Sequence, residues 1–133
     1  MKRKIMAVTL TAAMLAGLAA VPVWADDTGS DEGKVLNIYC WNEEFKSRLT
    51  DHYPGYEEVD GTHGKIGDVD VVWNITPSDD NAYQNNLDET LLKQADAAAD
   101  DKIDLFLVEA DYALKYVNTD YTMQVADLGI TED

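Results

Sequence analysis

Three short polar clusters in this chain combine side chains suited to recognising hydroxyl groups. The first is Trp41-Asn42-Glu43, the second Asn74 with Thr76, and the third Glu109 with Asp111 and Tyr112. Carboxylates and amides exchange hydrogen bonds with hydroxyls, while an aromatic ring packs on the apolar face of a sugar. Such a set favours neutral, polyhydroxylated ligands over phosphates. Each residue also has a purely structural use. Trp41 can be core packing, Asn42 or Asp111 a helix cap, Glu43 a complement to the helix dipole, and Tyr112 half-buried packing.

Every cluster follows an apolar, β-prone run. Residues 35–40 (Val-Leu-Asn-Ile-Tyr-Cys) read as a strand that feeds a helix over 43–50, where Phe45 and Leu49 recur at helical spacing and Asn42 offers the N-cap. Residues 70–75 read as a second strand, closed by Thr76-Pro77. Ser78 then caps a helix with Asp79 and Asp80 in its first turn, and Tyr83, Leu87, Leu91, Ala95 and Ala99 recur every four residues with Leu92 widening the stripe. Residues 103–108 predict a third strand buried on both faces, followed by a short helix to about 117 and an extended piece over 123–128.

Between the first helix and the second strand, Tyr53-Pro54-Gly55 breaks the periodicity, and 56–68 reads as an exposed loop rich in glycine and polar turn formers. Its Gly64-Lys65 is followed by Ile66 in place of Ser or Thr and follows no strand, so it is no phosphate loop. Strand and helix alternate, which predicts right-handed crossovers and an α/β fold: a three-layer sheet of mainly parallel strands. Parallel strands put all three polar clusters on one rim, at the carboxyl ends where open α/β sheets bind ligands.

The chain starts with the basic residues Lys2, Arg3 and Lys4, an apolar run over 5–20, and Val23-Trp24-Ala25. That order is a secretory signal peptide, residues 1–25, and predicts an extracytoplasmic protein with no direct membrane insertion after cleavage. Residues 26–34 read as a disordered acidic tether. Of the 133 residues, cleavage would leave 108, with all 26 acidic and seven of the ten basic side chains, a formal charge of −19. Nucleic-acid binding needs clustered Lys and Arg and is excluded; anionic membranes and ligands are disfavoured.

Cys40 is the only cysteine, so there is no intrachain disulfide, and within a strand it reads as a small buried hydrophobe. A catalytic thiol would want a nearby histidine, and His52 and His63 both lie in loop-like sequence. No cofactor or metal is expected. A glycosidase using Glu43 and Asp111 is the competing enzymatic reading, and it needs the two carboxyls about 5–9.5 Å apart. A nucleotide-binding module is disfavoured directly, because Cys40-Trp41-Asn42-Glu43 has no glycine and carries negative charge where phosphates would sit.

Three pieces, Ile38-Tyr39-Cys40-Trp41-Asn42-Glu43-Glu44-Phe45, Ile75-Thr76-Pro77-Ser78-Asp79-Asp80-Asn81-Ala82-Tyr83 and Ile103-Asp104-Leu105-Phe106-Leu107-Val108-Glu109-Ala110-Asp111-Tyr112, resemble extracellular solute-binding proteins of the maltose-binding type. These are the carbohydrate receptors of bacterial ABC importers, and the similarity runs in order to Ala126-Asp127-Leu128-Gly129-Ile130. The resemblance implies a non-catalytic receptor for a neutral saccharide, with a membrane permease as partner and strand order second–first–third. It implies ligand contacts at Trp41, Asn42 and Glu43, and at Glu109, Asp111 and Tyr112. The family's chains are several times longer. Residues 35–133 would then be part of the first lobe of a type II periplasmic-binding fold, a truncated frame or N-terminal fragment with an exposed apolar sheet edge near its end.

Overall fold

The computed structural model describes residues 33–117 and 119–130. The expected signal segment and nearly all of the expected tether lie outside the described residues. Its last residue, Lys34, is tied down: its backbone N–H donates to Asp100 Oδ1 at 2.5 Å.

Seven elements carry the fold: β1 (Val35–Cys40), α1 (Glu44–His52), β2 (Tyr56–Glu58), β3 (His63–Ile66), β4 (Val69–Ile75), α2 (Ala82–Leu91) and β5 (Leu105–Phe106). The sheet runs β2-β3-β4-β1-β5. β1 pairs in parallel with β4, from Val35↔Asp70 to Cys40↔Ile75, and in parallel with β5 through Ile38↔Leu105 and Tyr39↔Phe106. The expected second–first–third order is therefore present as β4-β1-β5. The expectation of mainly parallel strands is corrected: β2–β3 and β3–β4 are antiparallel, so the sheet is mixed.

That correction comes from residues 56–68, expected as a loop and in fact forming β2 and β3. The reason lies in contacts far apart in sequence. The Tyr56 ring lies across Gly64, and its hydroxyl accepts a hydrogen bond from the buried Trp73 indole at 3.0 Å. A Cβ at position 64 would sit 2.6 Å from Tyr56 Cε2 and closer still to the phenol oxygen. An aromatic ring covering a strand glycine is a known way to hold register. Gly64→Ala is expected to lower the unfolding free energy by about 1–3 kcal/mol through overpacking. Urea denaturation followed on Trp73 emission checks this.

Alternation along β1 divides the core into two faces. Leu36, Ile38 and Cys40 join Val71, Trp73 and Ile75 of β4 beneath Phe45 and Leu49 of α1. Tyr39 and Phe106 face the other way, against Tyr83, Leu87 and Leu91 of α2. Helices thus cover both faces, giving the three layers of an α/β fold. The most buried residue of α1 is unexpectedly Lys46, whose ammonium donates to Gly61 O at 2.7 Å and pairs with Glu58 at 3.3 Å. This pins α1 to the β2–β3 hairpin.

At the hairpin tip, Asp60 Oδ1 accepts hydrogen bonds from the backbone N–H groups of Thr62 and His63, each at 2.8 Å, and lies 2.9 Å from His63 Nδ1. The Thr62 N–H above all, then the His63 ring, hold the Asp60 carboxyl down at about 2. A carboxylate whose pKa falls on folding adds stability above its ordinary pKa and loses it as pH drops through the folded value. The tip is therefore expected to loosen between about pH 4 and pH 2, read as shifts of the Thr62 and His63 amide resonances.

Past β4 the expected helix differs in both of its ends. Ser78 makes no side-chain cap. Asp80 (φ 51°) and Asn81 (φ 60°) both take left-handed backbone, a conformation that Asp and Asn adopt more readily than other L-residues. α2 starts only at Ala82 and stops at Leu91, so Ala95 and Ala99 lie in later 3-10 turns and Leu92 is 75% exposed. The third strand shrinks to two residues, with Leu105 and Val108 more than one-third exposed rather than buried on both faces. The helix expected before residue 117 is a 3-10 turn over Ala113–Lys115, and the extended piece is a 3-10 turn over Val125–Leu128. β5 forms one edge of the sheet, and beyond it Leu114, Met123, Leu128 and Ile130 are exposed.

Candidate functional site

Because β4, β1 and β5 run in parallel, the chain leaves all three at one edge. There Thr76 N–H donates to Cys40 O at 3.0 Å and Leu107 N–H to Tyr39 O at 3.0 Å, which binds the three exits together. Trp41 and the 107–112 segment consequently emerge on the same side of the sheet.

Trp41 is half-buried, its indole edge-to-face with Tyr83 at 5.5 Å and 76°. Tyr83 is itself fixed beneath the rim: its hydroxyl is 2.7 Å from Leu107 O and 3.1 Å from Tyr39 O, and burial pushes its pKa up. Trp41 packs on the α2-side core, and it also lines a cavity. That cavity, about 170 Å³, is bounded by Trp41, Asn42, Glu44, Phe45, Arg48 and Leu107.

Asn42 is exposed and uses its side-chain carbonyl to accept the Glu44 N–H at 3.0 Å. The N-cap position is Glu43, one residue later than the expected Asn42, and Glu43 makes no side-chain cap. Glu43 is exposed, and its backbone carbonyl accepts from the Ser47 N–H and hydroxyl. Asn74 is half-buried opposite Tyr39. Thr76 is occupied by α2, its hydroxyl accepting from Asn86 Nδ2 at 3.1 Å. Glu109 and Asp111 are exposed in the turn that follows β5, where Tyr112 N–H donates to Glu109 O at 3.2 Å. Tyr112 is half-buried against the α2-side cluster, edge-to-face with Tyr116.

Of the expected site residues, only Trp41 and Asn42 line the cavity; Glu43, Glu109, Asp111 and Tyr112 share the edge without lining it. Sequence reasoning missed Glu44, Phe45, Arg48 and Leu107 as lining residues. The Glu-x-x-x-Arg spacing that places Glu44 and Arg48 on one helix face was visible as a signal. A wider depression of about 540 Å³ lies at Gln94, Ala95, Thr119, Asp120 and Tyr121, away from the strand exits. Its one amide is already committed, since Gln94 bonds both the N–H and the C=O of Ile103 at 2.9 Å.

Cys40 is fully buried, and burial raises its thiol pKa against the opposing effect of the Asn42 backbone N–H, so it is a poor nucleophile. Among the described residues no group of three His, Cys, Asp or Glu side chains is placed to hold a metal ion, and no helix is long and apolar enough to cross a membrane. No protein-family description, curated protein or solved structure matches the chain.

Proposed function

We propose that this chain is the sugar-capturing part of an extracytoplasmic solute-binding protein of the maltose-binding type, serving a carbohydrate ABC importer without catalysing a reaction. In this reading a pyranose stacks on Trp41, and neighbouring polar groups bond to its hydroxyls. A second lobe closing about a hinge would complete the site, and the closed form would be recognised by a membrane permease. The chain would act outside the cytoplasm after removal of residues 1–25, and its β4-β1-β5 core would belong to a type II periplasmic-binding lobe.

The observation that carries the reading is the cavity beside a half-buried Trp41 at the edge where three parallel strands end. Ligand sites of open α/β sheets occupy that edge. The strongly acidic composition agrees with a neutral ligand. Titration of the chain with malto-, cello- and xylo-oligosaccharides, followed by tryptophan emission and calorimetry, is the test. A saturable response to one series supports it. Flat titrations throughout, together with release of sugar from chromogenic glycosides that is lost in Glu43→Gln, would replace it with the glycosidase reading.

A further inference from the structure

Within the cavity beside Trp41, most groups already have a structural task. Phe45 and Leu107 are apolar walls that pack on the α1-side core. Asn42 has its side-chain carbonyl engaged by the Glu44 N–H. The Asn42 amide nitrogen and the Trp41 indole N–H remain as neutral donors, and the two charged groups are the Glu44 carboxylate and the Arg48 guanidinium, one helical turn apart on the same side of α1. They lie 3.6 Å apart, beyond hydrogen-bond length, with side chains 71% and 69% exposed. Among the described residues neither side chain makes a hydrogen bond. Ion pairs of this exposed kind hold together weakly, so a ligand redirects them at little cost.

We infer that Glu44 and Arg48 form the specificity element of this site, reading a vicinal diol of the sugar whose ring stacks on Trp41; the inference rests on the saccharide reading above. An acceptor and a forked donor side by side match two adjacent hydroxyls. One hydroxyl donates to the Glu44 carboxylate, and its neighbour accepts from the Arg48 guanidinium. Both bonds are charge-assisted, the stronger class. The pair is neutral overall, so it selects hydroxyl geometry and asks for no charge on the ligand. A sugar lacking either hydroxyl forgoes one of the two charge-assisted bonds and binds more weakly.

The test is calorimetric titration of the full chain and of Glu44→Gln, Arg48→Gln and the double variant with maltotriose, cellotriose and xylotriose. Matching far-UV dichroism verifies that each variant keeps its fold. For the trisaccharide bound tightest, each single variant is expected to weaken affinity by about tenfold to hundredfold, as for loss of a hydrogen bond to a charged group. The double variant should lose more than either single one, by up to the two losses combined, because each group holds its own hydroxyl of one diol. Affinities within about twofold of the parent in all three variants would overturn the pair's role and leave saccharide binding standing. No binding of any trisaccharide to the parent chain would overturn both.

Discussion

Tyr83→Ala is expected to lower the unfolding free energy by about 3–5 kcal/mol, the range for truncating a large buried aromatic. Tyr83 is 1% exposed and stands where α2, β1 and β5 meet. Its ring packs nearly perpendicular to the Trp41 indole, and its hydroxyl lies within bonding distance of the carbonyls of Tyr39 in β1 and of Leu107 just after β5. Those carbonyls are not equivalent. Tyr39 O already accepts the Leu107 N–H, whereas Leu107 O has no other hydrogen-bond donor among the described residues. Tyr83→Phe should therefore cost about 1–3 kcal/mol, the penalty for one unsatisfied buried acceptor. Denaturant unfolding of both variants gives the two values, and a phenylalanine variant as damaged as the alanine one would contradict this division.

Trp41→Ala is expected to weaken saccharide affinity by about thirtyfold or more, the loss typical of truncating a central aromatic anchor. The indole packs nearly perpendicular to the Tyr83 ring, so its orientation is set before any ligand arrives. Fixing an orientation in advance lowers the ordering cost of binding. Trp41→Phe keeps a smaller ring in the same place and should retain most of the affinity. Calorimetry on the two variants separates stacking from a general loss of packing. Equal losses in both would mean that the indole does more than stack.

What was legible in the sequence were the segments whose neighbours are close in sequence or whose apolar runs are uninterrupted. β1 and β4 are continuous β-prone runs, and the Tyr83-Leu87-Leu91 stripe is a plain amphipathic helix. Their parallel pairing follows from the helices between them. The β2–β3 hairpin was hidden because Tyr-Glu-Glu and His-Gly-Lys-Ile do not show a core-facing alternation. Its stabilising partners, Trp73 and Lys46, lie 17 and 12 residues from Tyr56 and Glu58. The end of α2 was overextended for a related reason: Ala95 and Ala99 keep the four-residue rhythm but are too small to hold the helix against the sheet. A left-handed pair at Asp80–Asn81 has no signature in a Pro-Ser-Asp-Asp-Asn sequence, which reads equally well as a capped helix start.

At the site, the strand exits were legible while the side chains that meet there were not. Strand direction alone puts Trp41 and Asp111 on one edge. Which of them share a cavity depends on how α1 leaves the sheet, and the Asn42 turn sends it so that Glu44 and Arg48, rather than Glu43, flank Trp41. One residue of helix phase decided the difference.

Mapping a bound oligosaccharide on the backbone amide spectrum shows where on the sheet it sits. With the tightest-binding sugar of the panel at saturation, the largest shifts are expected to cluster at Trp41, Asn42, Glu44 and Arg48, with smaller ones at Leu107. Saturable binding whose shifts fall instead on the β2–β3 hairpin or on the 119–125 turns, leaving Trp41 unmoved, would contradict it.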